Sequence, residues 1–262
     1  MRASIVWTVL RREWYETVRN RLLMSTILLP PILLTVAPIV LAAAVGDQAL
    51  PPELVVTVLA QRPEWANLTP GELAGAFAVQ QFLVFFLLMP AYIPLSIATF
   101  SIIGEKLARS LEPVLAAPIR TSELLGGKAI AALVPGVLAG WATYAAFVAL
   151  ASIVYGPALF GVVTDLSWLA GVFLLGPAVG LSSVVAGVIV SARVNDPRVA
   201  QQVGGVVILP VIALVLVQAT GTVLVGPLGY LVLSAGVLVV SLIGLRIGVR
   251  LFDREAILTR WR

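Results

Sequence analysis

The sequence has no cysteine and no histidine. Without cysteine there are no disulfides and no thiolate metal sites. Without histidine the chain lacks the commonest metal ligand and the side chain best suited to proton transfer near neutral pH. Charge is scarce as well: 11% of the residues are Asp, Glu, Lys or Arg, against about 25% in soluble domains. A surface facing water on all sides cannot be made from so little. What is abundant is apolar. Of the 262 residues, 60% are hydrophobic, and they are gathered in long blocks.

Six blocks are long enough to cross a hydrocarbon core, which takes roughly 20 helical residues: 22–45, 76–103, 129–155, 166–190, 203–219 and 227–249. Backbone amides in lipid must be bonded within the segment or around a closed barrel. Runs without two-residue alternation read as helices rather than barrel strands. The expected fold is therefore an all-α membrane protein. Residues 1–21 form an N-terminal amphipathic helix, 22–249 a six-helix transmembrane domain, and 250–262 a tail. Ala42-Ala43-Ala44 is similar to a signal-cleavage site, but the apolar run exceeds the roughly 7–15 residues of a signal h-region. The first span is expected to be retained.

Orientation follows from the basic residues. All but one of the 17 Lys and Arg fall in 1–21, 104–128, 191–202 and the end from Arg246 onward; the exception is Arg62. The positive-inside rule places these four segments, and with them both termini, in the cytoplasm of a plasma-membrane protein. Acidic residues interleave with the basic ones in each segment, which argues against a nucleic-acid patch.

The first segment repeats Val6, Leu10, Trp14 and Val18 every four residues, with Trp7 and Val9 beside them and Arg11, Arg12, Glu16 and Arg19 on other faces. Such a helix suits the headgroup plane; the plainer alternative is an extension of the first span. Residues 46–75 are the longest outside segment and are rich in breakers, Pro51, Pro52, Pro63, Pro70 and Gly71. Asn67-Leu68-Thr69 fits a glycosylation sequon. Links 156–165 and 220–226 are short enough for antiparallel neighbours. Three Gly-x-x-x-Gly pairs, 136/140, 176/180 and 244/248, allow close helix approach, more often within a subunit than across a dimer. Prolines 30, 31, 38, 90, 94, 135, 177 and 210 lie in or near spans, where each removes a backbone bond.

Several chemistries are missing. No span holds an ionisable residue near its middle, Arg246 being the nearest. Proton-coupled transporters usually need one. Gln80, Gln81, Ser96, Thr99, Ser182, Ser183 and Gln218 could line a path, or bond to neighbouring helices. Serine hydrolysis lacks a His base. Gly126-Gly127-Lys128-Ala129 falls short of a Walker A, which needs Gly four residues earlier and Ser or Thr after the Lys. No cofactor or metal is expected in this chain, and any nucleotide hydrolysis must come from another.

The segment 104–128 is the densest polar block between spans. Leu107, Leu111, Val114 and Leu115 share a helical face, Glu105 and Arg109 stand at i,i+4, Pro118 breaks the run, and Thr121 can cap the next helix with Glu123 near its positive end. Lys128 is expected at the inner headgroups. The bland reading is an interfacial loop; the sharper one is a docking helix.

The series Glu105-Lys106, Ser110-Leu111-Glu112-Pro113-Val114-Leu115-Ala116-Ala117-Pro118 and Glu123-Leu124-Leu125-Gly126-Gly127-Lys128 resembles the central signature of ABC-2-type transporter permeases. Arg11-Arg12-Glu13 resembles part of that family's connecting helix. Arg198-Val199-Ala200-Gln201-Gln202 before Leu209-Pro210 is similar to the start of its fifth span, and Phe252-Asp253-Arg254-Glu255-Ala256-Ile257-Leu258 to its ending. The resemblance implies a non-catalytic permease that pairs with a second permease, identical or not, and with separate ATP-binding-cassette ATPase subunits, with export as the expected direction. It implies a coupling site at Glu105, Leu107, Arg109, Leu111, Glu112, Leu115 and Pro118. The outside re-entrant helices of many relatives have no room in 220–226. The rival reading is a secondary transporter or channel that works without ATP.

Overall fold

The computed structural model describes residues 3–45, 50–108 and 121–251. Among them there are helices and turns but no strands. Six helical stretches are long and apolar enough to cross a membrane: Ile27–Ala44, Pro70–Leu107, Glu123–Val154, Leu159–Arg193, Pro197–Gln218 and Pro227–Gly248.

Helix α1 (Ala3–Arg19) precedes the first span, α2 (Arg21–Val45). The expected breaker-rich stretch contains a short helix, α3 (Pro52–Gln61), and a 3-10 turn, Pro63–Trp65. Its prolines stand at helix starts, where the missing N–H would have had no partner. Pro70 does the same for α4 (Pro70–Phe86), whose start is a capping box: Thr69 Oγ1 accepts from the Glu72 N–H, and the Thr69 N–H donates to Glu72 Oε2 at 2.8 Å. Thr69 of the sequon is thus the cap of the second span.

The second span breaks at Leu87 and continues as α5 (Leu88–Leu107). The third is one helix, α6 (Thr121–Val163). The fourth starts as α7 (Leu166–Ala170), passes through a π turn, Gly171–Leu175, and continues as α8 (Gly176–Arg193). The fifth joins α9 (Pro197–Gly204) by a 3-10 turn to α10 (Leu209–Ala219), and α11 (Pro227–Leu251) is the sixth. Glycine at 221, with φ of +69°, allows the turn between the last two.

In lipid the hydrophobic effect does not hold helices together, so close packing must. Span two is the axis. Its Met89, Ile93, Ile97, Ile102 and Ile103 are almost wholly covered. The first two glycine pairs lie against its proline kinks: a Cβ on Gly136 would stand 2.5 Å from the Pro94 ring, one on Gly140 3.6 Å from Pro90 Cδ, and one on Gly180 3.2 Å from the Pro90 carbonyl oxygen. The third pair takes Val185, Val188 and Ile189 of α8. Toward the other end, Trp168 stacks on Tyr144 and Phe147 and meets Phe86 edge-on.

Two indoles repair what prolines remove. Pro135 cannot donate to the Ala131 carbonyl four residues back, and Trp14 Nε1 of α1 donates to it at 3.1 Å. Within the π register Gly176 donates to Gly171. The next bond in that register, from residue 177 to Val172, is impossible for proline. Trp141 Nε1 supplies it at 3.3 Å.

Candidate functional site

The buried charged side chains gather at the two ends of the helices. At the basic end, α1, the close of α5 and the start of α6 meet. Lys128 is 4% exposed, and its Nζ donates to Glu13 Oε1 (2.6 Å) and Ser101 Oγ (2.6 Å) and faces Glu105 Oε2 at 3.1 Å. Glu13 and Glu105 are equally buried. Arg12, half exposed, approaches Glu105 Oε1 at 3.7 Å and holds Glu16 at 2.9 Å. The hydrogen bond that Arg12 donates to Glu16 and the surrounding carboxylates push the Arg12 pKa upward, with partial burial opposing them. Two anions, Glu13 and Glu105, thus face two cations, Lys128 and Arg12. A buried charge is tolerated when it is paired in this way.

Lys106, next to Glu105, reaches the fourth span. Its Nζ donates to the carbonyls of Ser191 and, at 3.3 Å, Val194 at the end of α8. A cation there satisfies carbonyls that have no partner within the helix and favours the negative end of its dipole. One short stretch of span two therefore holds α1, α6 and α8.

Lys128, expected at the inner headgroups, is buried in this junction. The covered face of α1 is Leu10, Glu13 and Thr17 with Trp14 beside them, whereas Trp7 and Val18 are 63% and 66% exposed. The ion pair to Lys128 and the bond from Trp14 set that rotation, because an unpaired buried charge costs more than two exposed apolar side chains. Of the expected coupling residues, Glu105 is buried in the junction and Leu107, two residues on, is 67% exposed. Arg109, Leu111, Glu112, Leu115 and Pro118 lie outside the described residues.

At the opposite end, Arg62 is 4% exposed. Its guanidinium donates to Asp165 Oδ2 (2.9 Å), Glu64 Oε1 (3.3 Å), Ser167 Oγ (2.8 Å) and the Val225 carbonyl (3.2 Å), and lies 5.7 Å from the centre of the Trp65 ring. Gln61 donates to the Gly221 carbonyl and accepts from the Leu224 N–H at 2.6 Å. The sequence marked Arg62 only as an exception to charge bias; that lone cation was the available signal.

Beneath, Trp168 Nε1 donates to Gln80 Oε1 at 3.0 Å, and Gln218 Nε2 donates to Tyr230 OH at 3.2 Å. Both amides are fully buried, and among the described residues Gln80 Nε2 and Gln218 Oε1 have no hydrogen-bond partner. Among the described residues the buried Asp, Glu, Lys and Arg side chains, Glu13, Arg62, Glu105, Glu123 and Lys128, all lie toward span ends.

Comparison with known proteins gives one family. Residues 57–228 match the family model described as ABC-2 family transporter protein. The match runs from α3 to the start of α11 and takes in the whole of 104–128; α1 lies outside it. No curated protein matches the chain.

Proposed function

The chain belongs to the ABC-2 transporter family as a multi-pass permease, and from that premise we propose that it is the membrane subunit of an ATP-driven exporter of the cell membrane. Its termini and residues 104–128 face the cytoplasm, and ATP is hydrolysed by separate ATP-binding-cassette subunits. A second permease, identical or homologous, completes the pathway.

The observation that carries this reading is the junction at the base of segment 104–128, within the matched region. A push on that segment reaches α5 directly, α6 through Lys128, α1 through Glu13 and Arg12, and α8 through Lys106. ATP-driven closure of the ATPase pair would displace the segment and, through these contacts, several helices at once. Leu107, Leu111 and Leu115 are the apolar anchors in this scheme. Arg109 and Glu112 orient the contact, as charged rims favour specificity over affinity, and Pro118 ends the docking helix. Glu105 takes a different role from the one its sequence position suggested: it ties the segment to α1. The placement of buried charge toward span ends also weighs against a proton-coupled rival, which calls for a titratable group at depth.

Leu111→Asp tests the docking. The variant inserts normally and no longer co-purifies with the ATPase. Unchanged co-purification removes the anchor role.

A further inference from the structure

The geometry points to an external gate latched by Arg62. This rests on the exporter reading, in which the end of the molecule that carries α3 faces outward.

Three separate connections close that end: the stretch from α3 to Thr69, the link between α6 and α7, and the link between α10 and α11. Arg62 joins all three. It belongs to the first, pairs with Asp165 and Ser167 at the second, and donates to the Val225 carbonyl at the third. Gln61 makes a second clasp between the first and the third. Close packing follows the same route: Leu54 and Phe77 crowd Gly221 so tightly that a Cβ there would stand 2.5 Å from Leu54 Cδ1. Val58 of α3 and Trp65 of the following turn are buried in the same apolar cluster as Trp168, Leu224 and Tyr230.

Arg62 is the only Lys or Arg in the outside connections. A charge held at 4% exposure is stable only while its partners surround it. Once the three connections separate, water hydrates Arg62, Asp165 and Glu64, so the open arrangement is also satisfied. Such a contact has two acceptable states, which a gate requires. Directly below lie Gln80 and Gln218, each with one polar atom unpartnered among the described residues. These are the first uncommitted hydrogen-bonding groups that an opened gate would uncover. The latch therefore holds α3 across the outer mouth, and cargo leaves when it breaks.

The chain has no cysteine, so a thiol placed at Val58, which is 0% exposed, reports on α3 alone. Cells carrying the permease with its ATPase are treated from outside with a membrane-impermeant maleimide. Val58→Cys alone labels slowly. Adding Arg62→Gln raises the labelling rate about tenfold or more, since hydrogen bonds to a charged group are lost on both sides of the latch. Asp165→Asn, which keeps an oxygen to accept from the Trp168 N–H but removes the charge that holds Arg62, also speeds labelling of Val58→Cys. Phe147→Cys, at 0% exposure in the third span, stays protected throughout. Slow labelling of Val58→Cys in the Arg62→Gln background overturns the latch. So does simultaneous exposure of Phe147→Cys, which would make Arg62 a general fold determinant, and so does an Asp165→Asn variant that labels as slowly as Val58→Cys alone. Labelling that follows Arg62→Gln but never ATP supports the latch and counts against the ATP-driven reading, so the two fail separately.

Discussion

Replacing Lys128 by Met removes the cation that pairs with both Glu13 and Glu105, while Arg12 still approaches Glu105. The Met side chain fills similar volume, so packing changes little and the loss is electrostatic. Both carboxylates are about 95% covered, and the remaining guanidinium stands at 3.7 Å from Glu105 with half its surface in water. Screening reduces what that contact supplies, as for other exposed pairs. Breaking a buried pair from one side costs about 3–5 kcal/mol, whereas replacing the whole cluster with neutral groups costs far less. The expectation for Lys128→Met is therefore a loss in that range, and for Glu13→Gln with Glu105→Gln and Lys128→Met together a recovery of more than half of it. Denaturation of the purified permease in mixed micelles, followed by tryptophan fluorescence, measures both; Trp14 on α1 reports the junction itself. A loss below about 1 kcal/mol would match the value of an exposed pair and refute the claim of a buried junction. A triple variant no more stable than Lys128→Met would refute the charge argument even if the loss were large.

Other substitutions test the packing. Gly136→Ala places a methyl 2.5 Å from the rigid Pro94 ring and should cost about 1–3 kcal/mol in the same denaturation assay; Gly236→Ala, with open space around it, should cost nothing. Trp141→Phe removes the donor to Val172 and should cost about 1 kcal/mol for the hydrogen bond. In a Pro177→Ala background the backbone regains an N–H, so a double-mutant cycle should show that cost shrinking; additivity would mean that the indole does not substitute for the missing amide.

The six spans were legible because composition alone demands them: no other arrangement hides so many apolar residues and so few charges. Several features were not. Helix α3 was obscured by prolines that read as interruptions, although Pro52, Pro63 and Pro70 each begin a helical turn. The π turn at Gly171–Leu175 leaves no periodic trace in a stretch apolar on every side. The junction pairs Glu13 with Lys128 across 115 positions, and the outer cluster pairs Arg62 with Asp165 across 103; one sequence carries no mark of partners so far apart. For α1, the stripe of Val6, Leu10, Trp14 and Val18 located the helix, but it carried no sign that Glu13 faces Lys128. Glu105 shows how a charge near a loop can belong to the interior.

The small-residue grooves bear on assembly. Each of the three is already occupied from within the chain, by Pro90 and Pro94 or by Val185, Val188 and Ile189, and none is vacant for a neighbour. The flanks left exposed on α2 and α11 are instead rich in branched aliphatics, Ile32, Val36 and Val40 on the first and Val232, Val239 and Val240 on the second. Where a neighbour meets those side chains, they hold backbones apart, and such a seam would be looser than the joints inside the molecule.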